Sequence, residues 1–134
     1  MSLRLEMLQV ARLAPKVLGD ASDLVQNFLT NQQNPDGGFQ DRDGKSDLYY
    51  TVFGLDALAA FQAEPDLEAV EKFLRTFGEG EELDLVHLSC LTRCWGSLGV
   101  ERMPKGLRKA LLRRLENFRK PCGGWDNKIG RAHV

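Results

Sequence analysis

A glycine-centred break occurs twice in this chain, and its spacing constrains the fold more than any other feature. The first copy is Asn34-Pro35-Asp36-Gly37-Gly38-Phe39, and the second is Pro121-Cys122-Gly123-Gly124-Trp125. Superposing the Gly-Gly-aromatic steps gives an offset of 86 residues, two units of 43. Periods in this range mark arrays of helical repeats. Proline cannot continue a helical hydrogen-bond ladder, and glycine admits positive φ, so each break ends one helix and starts a turn. A single helical hairpin cannot bury both of its apolar faces, which is why such units stack. A degenerate middle copy is expected halfway, around Phe73-Leu74 and the Gly78/Gly80 loop.

Between the breaks, apolar residues recur at helical rather than strand spacing. Leu3, Met7, Val10 and Leu13 are spaced to line one face of a first helix whose end Pro15 and Gly19 disrupt. Asp20 or Ser22 is placed to cap a second helix running to about Gln33, with Val25, Phe28, Leu29 and Gln32 on one face. Ser46 or Asp47 caps a third, from Leu48 to about Phe61. Asp66 caps a fourth, with Leu67, Val70, Leu74 and Phe77 inward. Glu81 and Glu82 precede a fifth from Leu83 to Leu98, where acidic groups suit the positive end of the dipole. Pro104 suits the first turn of a sixth, reaching about Phe118. The pattern predicts at least five helices, centred near residues 10, 28, 55, 72, 90 and 111, and no sheet larger than a stray bridge. Short links make this an all-α chain of stacked helical hairpins.

The chain has 134 residues, 43% hydrophobic and 28% charged, as expected of one globular domain. No apolar run is long enough to span a bilayer. Arg4 and Glu6 interrupt any signal-peptide core, and three irregularly spaced cysteines make a poor disulfide framework, so the cytoplasm is the expected location. Residues 1–100 carry 8 basic and 16 acidic side chains, and residues 101–134 carry 10 and 3. The basic block holds Arg102, Lys105, Arg108, Lys109, Arg113, Arg114, Arg119 and Lys120. No aromatic residues interleave with it as single-strand binders require, so it reads as a solvated helix face and no nucleic-acid partner is expected. The terminal string Ile129-Gly130-Arg131-Ala132-His133-Val134 reads like one translated frame of a sequencing adapter. Residues 128–134 are therefore set apart from the fold, which is assigned to residues 1–127.

Around the first break, Gln32-Gln33, Asp36-Gly37-Gly38-Phe39 and Ser46-Asp47-Leu48-Tyr49-Tyr50-Thr51-Val52-Phe53-Gly54-Leu55-Asp56-Ala57-Leu58 together resemble the prenyltransferase/squalene oxidase repeat. Protein prenyltransferase β-subunits and terpene cyclases carry this repeat. The match covers residues 22–61 well and 66–125 more loosely. The resemblance implies part of an α/α toroid, an open arc of about three hairpins from a longer parent whose remaining repeats complete the ring. It implies a parent that acts on or binds isoprenoid chains or another lipid. Gln33, Asp36, Gly37, Gly38, Phe39, Gly123, Gly124 and Trp125 are then the structural repeat positions. Gln33 would bond backbone groups freed at a helix end, and Phe39 and Trp125 would lid the turns. The helices after the turns would form the inner ring, making Tyr49, Tyr50, Phe53, His87, Cys90, Cys94 and Trp95 candidate cavity-wall residues. An ordinary helical core is the alternative for each of them.

Prenyltransferases of this class hold zinc through an Asp-x-Cys step and a later His. The corresponding step here, Asp47-Leu48-Tyr49, lacks the cysteine. No metal is therefore expected within residues 1–127, while zinc in the full-length parent remains implied. Asp84, His87, Cys90 and Cys94 share a helical face at ligand-like spacing, but one helix rarely closes a four-coordinate site. The catalytic residues are not identifiable, and the arc alone is expected to be inactive and to self-associate through uncovered apolar residues such as Phe53, Leu55 and Trp95. Two other functions fit the pattern. One is a non-catalytic toroid binding a lipid or protein partner. The other is a helical-hairpin polysaccharide lyase or glycosidase, which would need paired carboxylates or a tyrosine and histidine facing one cleft; Tyr49, Tyr50, Asp56 and His87 are present, without a convincing pair.

Overall fold

The computed structural model describes residues 3–11, 13 and 19–127. The adapter-like segment 128–134 and the Pro15 break lie outside the described residues. Among those described, six α-helices carry the fold: α1 (Leu3–Ala11), α2 (Ala21–Asn31), α3 (Leu48–Ala60), α4 (Leu67–Arg75), α5 (Leu85–Leu98) and α6 (Leu107–Glu116). The chain is thus predominantly helical, as its periodicity predicts. One small sheet goes beyond a stray bridge: β1 (Phe39–Gln40) pairs antiparallel with β2 (Ser46–Asp47), Phe39 opposite Asp47 and Gln40 opposite Ser46. Two-residue strands contain no alternation, so the pattern of apolar residues carries no sign of them.

The helix starts follow from side-chain capping. Asp47 accepts from the Tyr50 N–H at 3.1 Å, and Asp66 from the Ala69 N–H at 3.1 Å. At α5 the cap is Asp84, which accepts from the His87 N–H at 2.8 Å, so the helix begins at Leu85 and not at Leu83. Leu83 belongs to the preceding turn, where its N–H donates to the Gly80 carbonyl. Asp20 sits at the N-cap of α2 without a side-chain cap bond, and Ser22 lies buried inside the helix. Pro104 falls before α6 because Gly106, with φ 83°, takes the N-cap, and a 3₁₀ turn over Val100–Arg102 fills the link.

The core is centred on α3 and α5. Each is packed along the other, α4 and α6 pack on α5, and α1 and α2 pack on α3. Leu58 of α3, Val70 and Leu74 of α4, Leu91 and Trp95 of α5 and Leu111 of α6 are fully buried. Each buried leucine contributes about 1.5–3 kcal/mol of transfer free energy. The apolar face of α1 is turned outward: Leu3, Met7, Val10 and Leu13 are 72%, 62%, 69% and 55% exposed. Arg4 instead ties α1 to α3 through Asp56 at 2.7 Å.

Two cross-links set the relative direction of α3 and α5. His87 Nε2 lies 3.8 Å from Asp47 Oδ1 where the helices start, and Arg93 lies 2.8 Å from Asp56 about two turns further along. The helices therefore run parallel with their starts together. The turn after α2 sits on the start of α3, since the Phe39 N–H donates to Thr51 Oγ1 at 3.0 Å. The turn after α6 sits on the start of α5, since the Leu85 N–H donates to Asn127 Oδ1 at 2.8 Å. Both Gly-Gly turns thus lie at the same end of the array.

The two turns share one main-chain circuit. Asn34 N–H donates to the Gly38 carbonyl at 2.8 Å, Gly37 to Asn34 at 2.9 Å and Gln40 to Gln32 at 2.9 Å. Shifted by the repeat offset, Lys120 donates to Gly124 at 2.7 Å, Gly123 to Lys120 at 2.9 Å and Asp126 to Phe118 at 3.0 Å. The bridges Gln33–Phe39 and Arg119–Trp125 obey the same offset. Gly37 and Gly123 have φ of 97° and 92°. The degenerate middle copy keeps part of the circuit: Gly80, φ 75°, donates to the Phe77 carbonyl at 2.8 Å.

The copies differ in their side chains. Gln33 donates to the carbonyls of Gly37 and Asp66 and accepts from the Asp66 N–H, stapling the first turn to α4. Asp36 accepts from the Gly38 N–H and the Ser46 hydroxyl. Arg119, at Gln33's position, instead lies 5.5 Å over the Trp125 ring. Phe39 is 2% exposed and Trp125 50%, so only the first turn has a closed apolar lid.

Candidate functional site

The aromatic candidates divide according to helical face. Tyr49 and Phe53 share a face of α3 with Asp56, at i, i+4 and i+7. They are 46% and 54% exposed, with ring centroids 4.9 Å apart in an edge-on pair. Tyr50, half-buried, touches Tyr49 edge-on at 6.0 Å. On α5, His87 is partly exposed, whereas Cys90, Cys94 and Trp95 are buried in the core. Leu55 and Trp95, expected to be partly uncovered, are 7% and 0% exposed, which leaves Phe53 as the uncovered member of that set.

The starts of α3 and α5 bring together one polar group. His87 Nδ1 lies 2.8 Å from Asp84 Oδ1, and Nε2 reaches toward Asp47. The His87 backbone N–H, then its ring, hold the Asp84 carboxyl below the ordinary aspartate range. Burial pushes the Cys90 thiol up, and the Cys94 thiol up to about 12. Both therefore stay protonated at neutral pH and are poor nucleophiles. Among the described residues no group of three or more His, Cys, Asp or Glu side chains is placed to hold a metal ion. Asp47 is occupied as an N-cap, and Tyr49 stands where the Asp-x-Cys step carries sulfur, so these residues do not fit the zinc centre of prenyltransferases.

The lowered Asp84 value has a consequence for acid stability. A carboxyl whose folded pKa is depressed contributes stability above its unfolded value, about 3.9, and loses it as pH falls through the folded value. Asp84→Asn should flatten the acid limb of a stability–pH curve below about pH 4 while preserving the N-cap. Parallel curves for the two proteins over that range would contradict the role given to the Asp84 charge.

A second polar group lies further along the same helices. Asp56 accepts from Arg4 of α1 at 2.7 Å and from Arg93 of α5 at 2.8 Å, joining three helices through one carboxylate. Each arginine side chain is 45% exposed. Beside them opens a cleft of about 490 Å³ whose wall is Leu3, Met7, Leu8, Phe53, Ala57 and Ala60. The site is amphipathic: an apolar lining together with two arginines that share one negative charge. Guanidinium forks match phosphate and carboxylate oxygens, and the excess positive charge favours an anion.

No known protein family, curated protein or solved structure matches the chain.

The site's character therefore rests on its geometry. The sequence reading named Asp56 only as a carboxylate without a convincing pair and passed over Arg4 and Arg93 as its partners, although a signal was present. Asp56 is the only charged residue of α3, and Arg93 the only lysine or arginine of α5. A lone charge in an apolar helix needs a partner, and these two are each other's.

Proposed function

We propose that this chain is part of a prenyltransferase- or terpene-cyclase-like α/α toroid, and that the cleft beside α1 takes an isoprenoid-type chain with an anionic end. The observation that carries this reading is that Phe53 and both arginines line one cleft. The apolar wall suits a branched hydrocarbon, and Arg4 and Arg93 suit its diphosphate or carboxylate end. The turn repeated after 86 residues and the parallel helix pair support the toroid reading. In this reading the three hairpins form an open arc. Tyr49 and Phe53 stand in water, and a face that does not exclude water cannot protect an allylic cation from hydrolysis. Binding without turnover is the function assigned to the chain.

The test is a fluorescence titration with a labelled prenyl diphosphate. Saturable binding is expected, with Arg93→Ala and Phe53→Ser each weakening it about tenfold, equivalent to about 1.4 kcal/mol. The prenyl alcohol should bind less tightly than the diphosphate, and Arg93→Ala should narrow that gap. Incubation with zinc, magnesium and a cysteine peptide should give no transferred product. Unchanged affinity in both variants would remove the cleft as the site, and turnover by the purified monomer would overturn the open-arc reading.

A further inference from the structure

Two helix faces left uncovered by the packing are complementary to each other. On α2, Asp20, Asp23, Leu24 and Phe28 share one face. Leu24 is 72% and Phe28 61% exposed, and neither aspartate forms an ion pair among the described residues. On and just before α6, Lys105, Arg108, Lys109 and Arg113 are exposed and likewise unpaired among the described residues, with Leu112 49% exposed between them. The neighbouring cations do find partners: Arg114 meets Glu79, and Arg119 meets Glu116. The bare set is thus confined to the solvent face of one helix. The order also matches. Along α2 acid comes first and the apolar residues follow, and along α6 three of the four cations precede Leu112, with Arg113 directly after it. Laid parallel, charge meets opposite charge and apolar side chain meets apolar side chain.

We propose that the acidic–apolar face of α2 in one copy of this chain docks against the basic–apolar face of α6 in a second copy. The two faces differ, so the contact is head-to-tail: each copy offers one face of each kind, and association goes beyond a dimer, to a ring if the rotation closes and to an open chain if it does not. Burying Leu24, Phe28 and Leu112 supplies the apolar part, and the unlike charges set the direction and make the contact salt-sensitive. An acidic partner protein would satisfy α6 but leave α2 uncovered, whereas a second copy covers both.

Sedimentation over a concentration series tests this with two charge reversals at exposed positions, D20K/D23K and R108E/K109E. Wild-type chain should self-associate, and raising salt from 0.05 to about 0.5 M should weaken association at least tenfold. D20K/D23K presents two basic faces and R108E/K109E cancels the charge of α6, so each variant alone should stay monomeric, with wild-type helical content confirming its fold. An equimolar mixture of the two should associate again, because each supplies the face the other lacks. A monomeric wild type, a variant that associates as wild type does, or a mixture that stays monomeric would overturn the proposal. So would a monomeric chain that sediments with anionic vesicles through Arg108 and Lys109, which would assign the basic face to a lipid surface.

Discussion

Replacing Gly37 by alanine should destabilise the fold by roughly 3 kcal/mol, while the same change at Gly123 should cost about 1 kcal/mol. The two glycines hold equivalent places in equivalent turns, with φ of 97° and 92°. Both therefore carry the penalty of a side chain in the left-handed region. Their surroundings separate them. A Cβ on Gly37 would stand 1.8 Å from the Ala69 carbonyl oxygen of α4, whereas one on Gly123 meets nothing within 4 Å. Backbone on both sides leaves the first turn no soft way to yield, so the turn must lift from α4 and break the Gln33 staple to Asp66. Urea unfolding with matched slopes reads the difference directly. Equal midpoints for the two variants would mean that the first turn does not press on α4 as described.

Trp95→Ala should cost about 3–5 kcal/mol, and Trp95→Phe much less. Trp95 is fully buried on α5, the helix against which α3, α4 and α6 all pack. Truncation to alanine opens a cavity in the buried face of α5, and the cost rises with the volume left unfilled. The indole Nε1 is buried without a hydrogen-bond partner. Phenylalanine removes that unsatisfied donor, which offsets part of the lost volume. Thermal unfolding of the two variants separates these terms. A phenylalanine variant as damaged as the alanine one would mean that the N–H is satisfied in solution.

The helices were legible in the sequence because their apolar residues recur at the helical period, and Asp47 and Asp66 were legible as caps because each precedes such a run. Asp84 was masked by Glu81 and Glu82, two acids that suit a helix start on charge alone; Glu81 turns back to the Glu79 N–H instead. Pro104 pointed to a first turn, but Gly106 two residues later has the freedom to take the cap with positive φ. The outward face of α1 was illegible for a different reason. Periodicity shows which residues share a face, but not whether a neighbour exists to cover it. The same limit applies to the candidate site. Tyr49, Phe53 and His87 were found by their position after the turns, and the structure leaves them accessible. Cys94 and Trp95, one turn and more further along α5, were assigned to the same wall, and packing placed them inside. Arg4 reaches Asp56 across 52 positions of chain, a pairing that no local pattern encodes.

The turn circuit is closed by main-chain groups, and the stretch that follows it is not bound to a length. Phe39 and its cap Asp47 are eight positions apart, whereas Glu82, at the matching place in the middle copy, is two positions from Asp84. Both routes deliver a helix start to the same end of the array, beside the same neighbour. Arg42, Asp43, Gly44 and Lys45, in the longer route, are exposed. Each doubling of such a loop adds only about 0.6 kcal/mol of closure entropy. The array therefore has a rim that tolerates variation above a frame that does not. New sequence can accumulate between Gln40 and Ser46 while the helices below keep their spacing, so repeats of this kind can acquire distinct surfaces without being refolded.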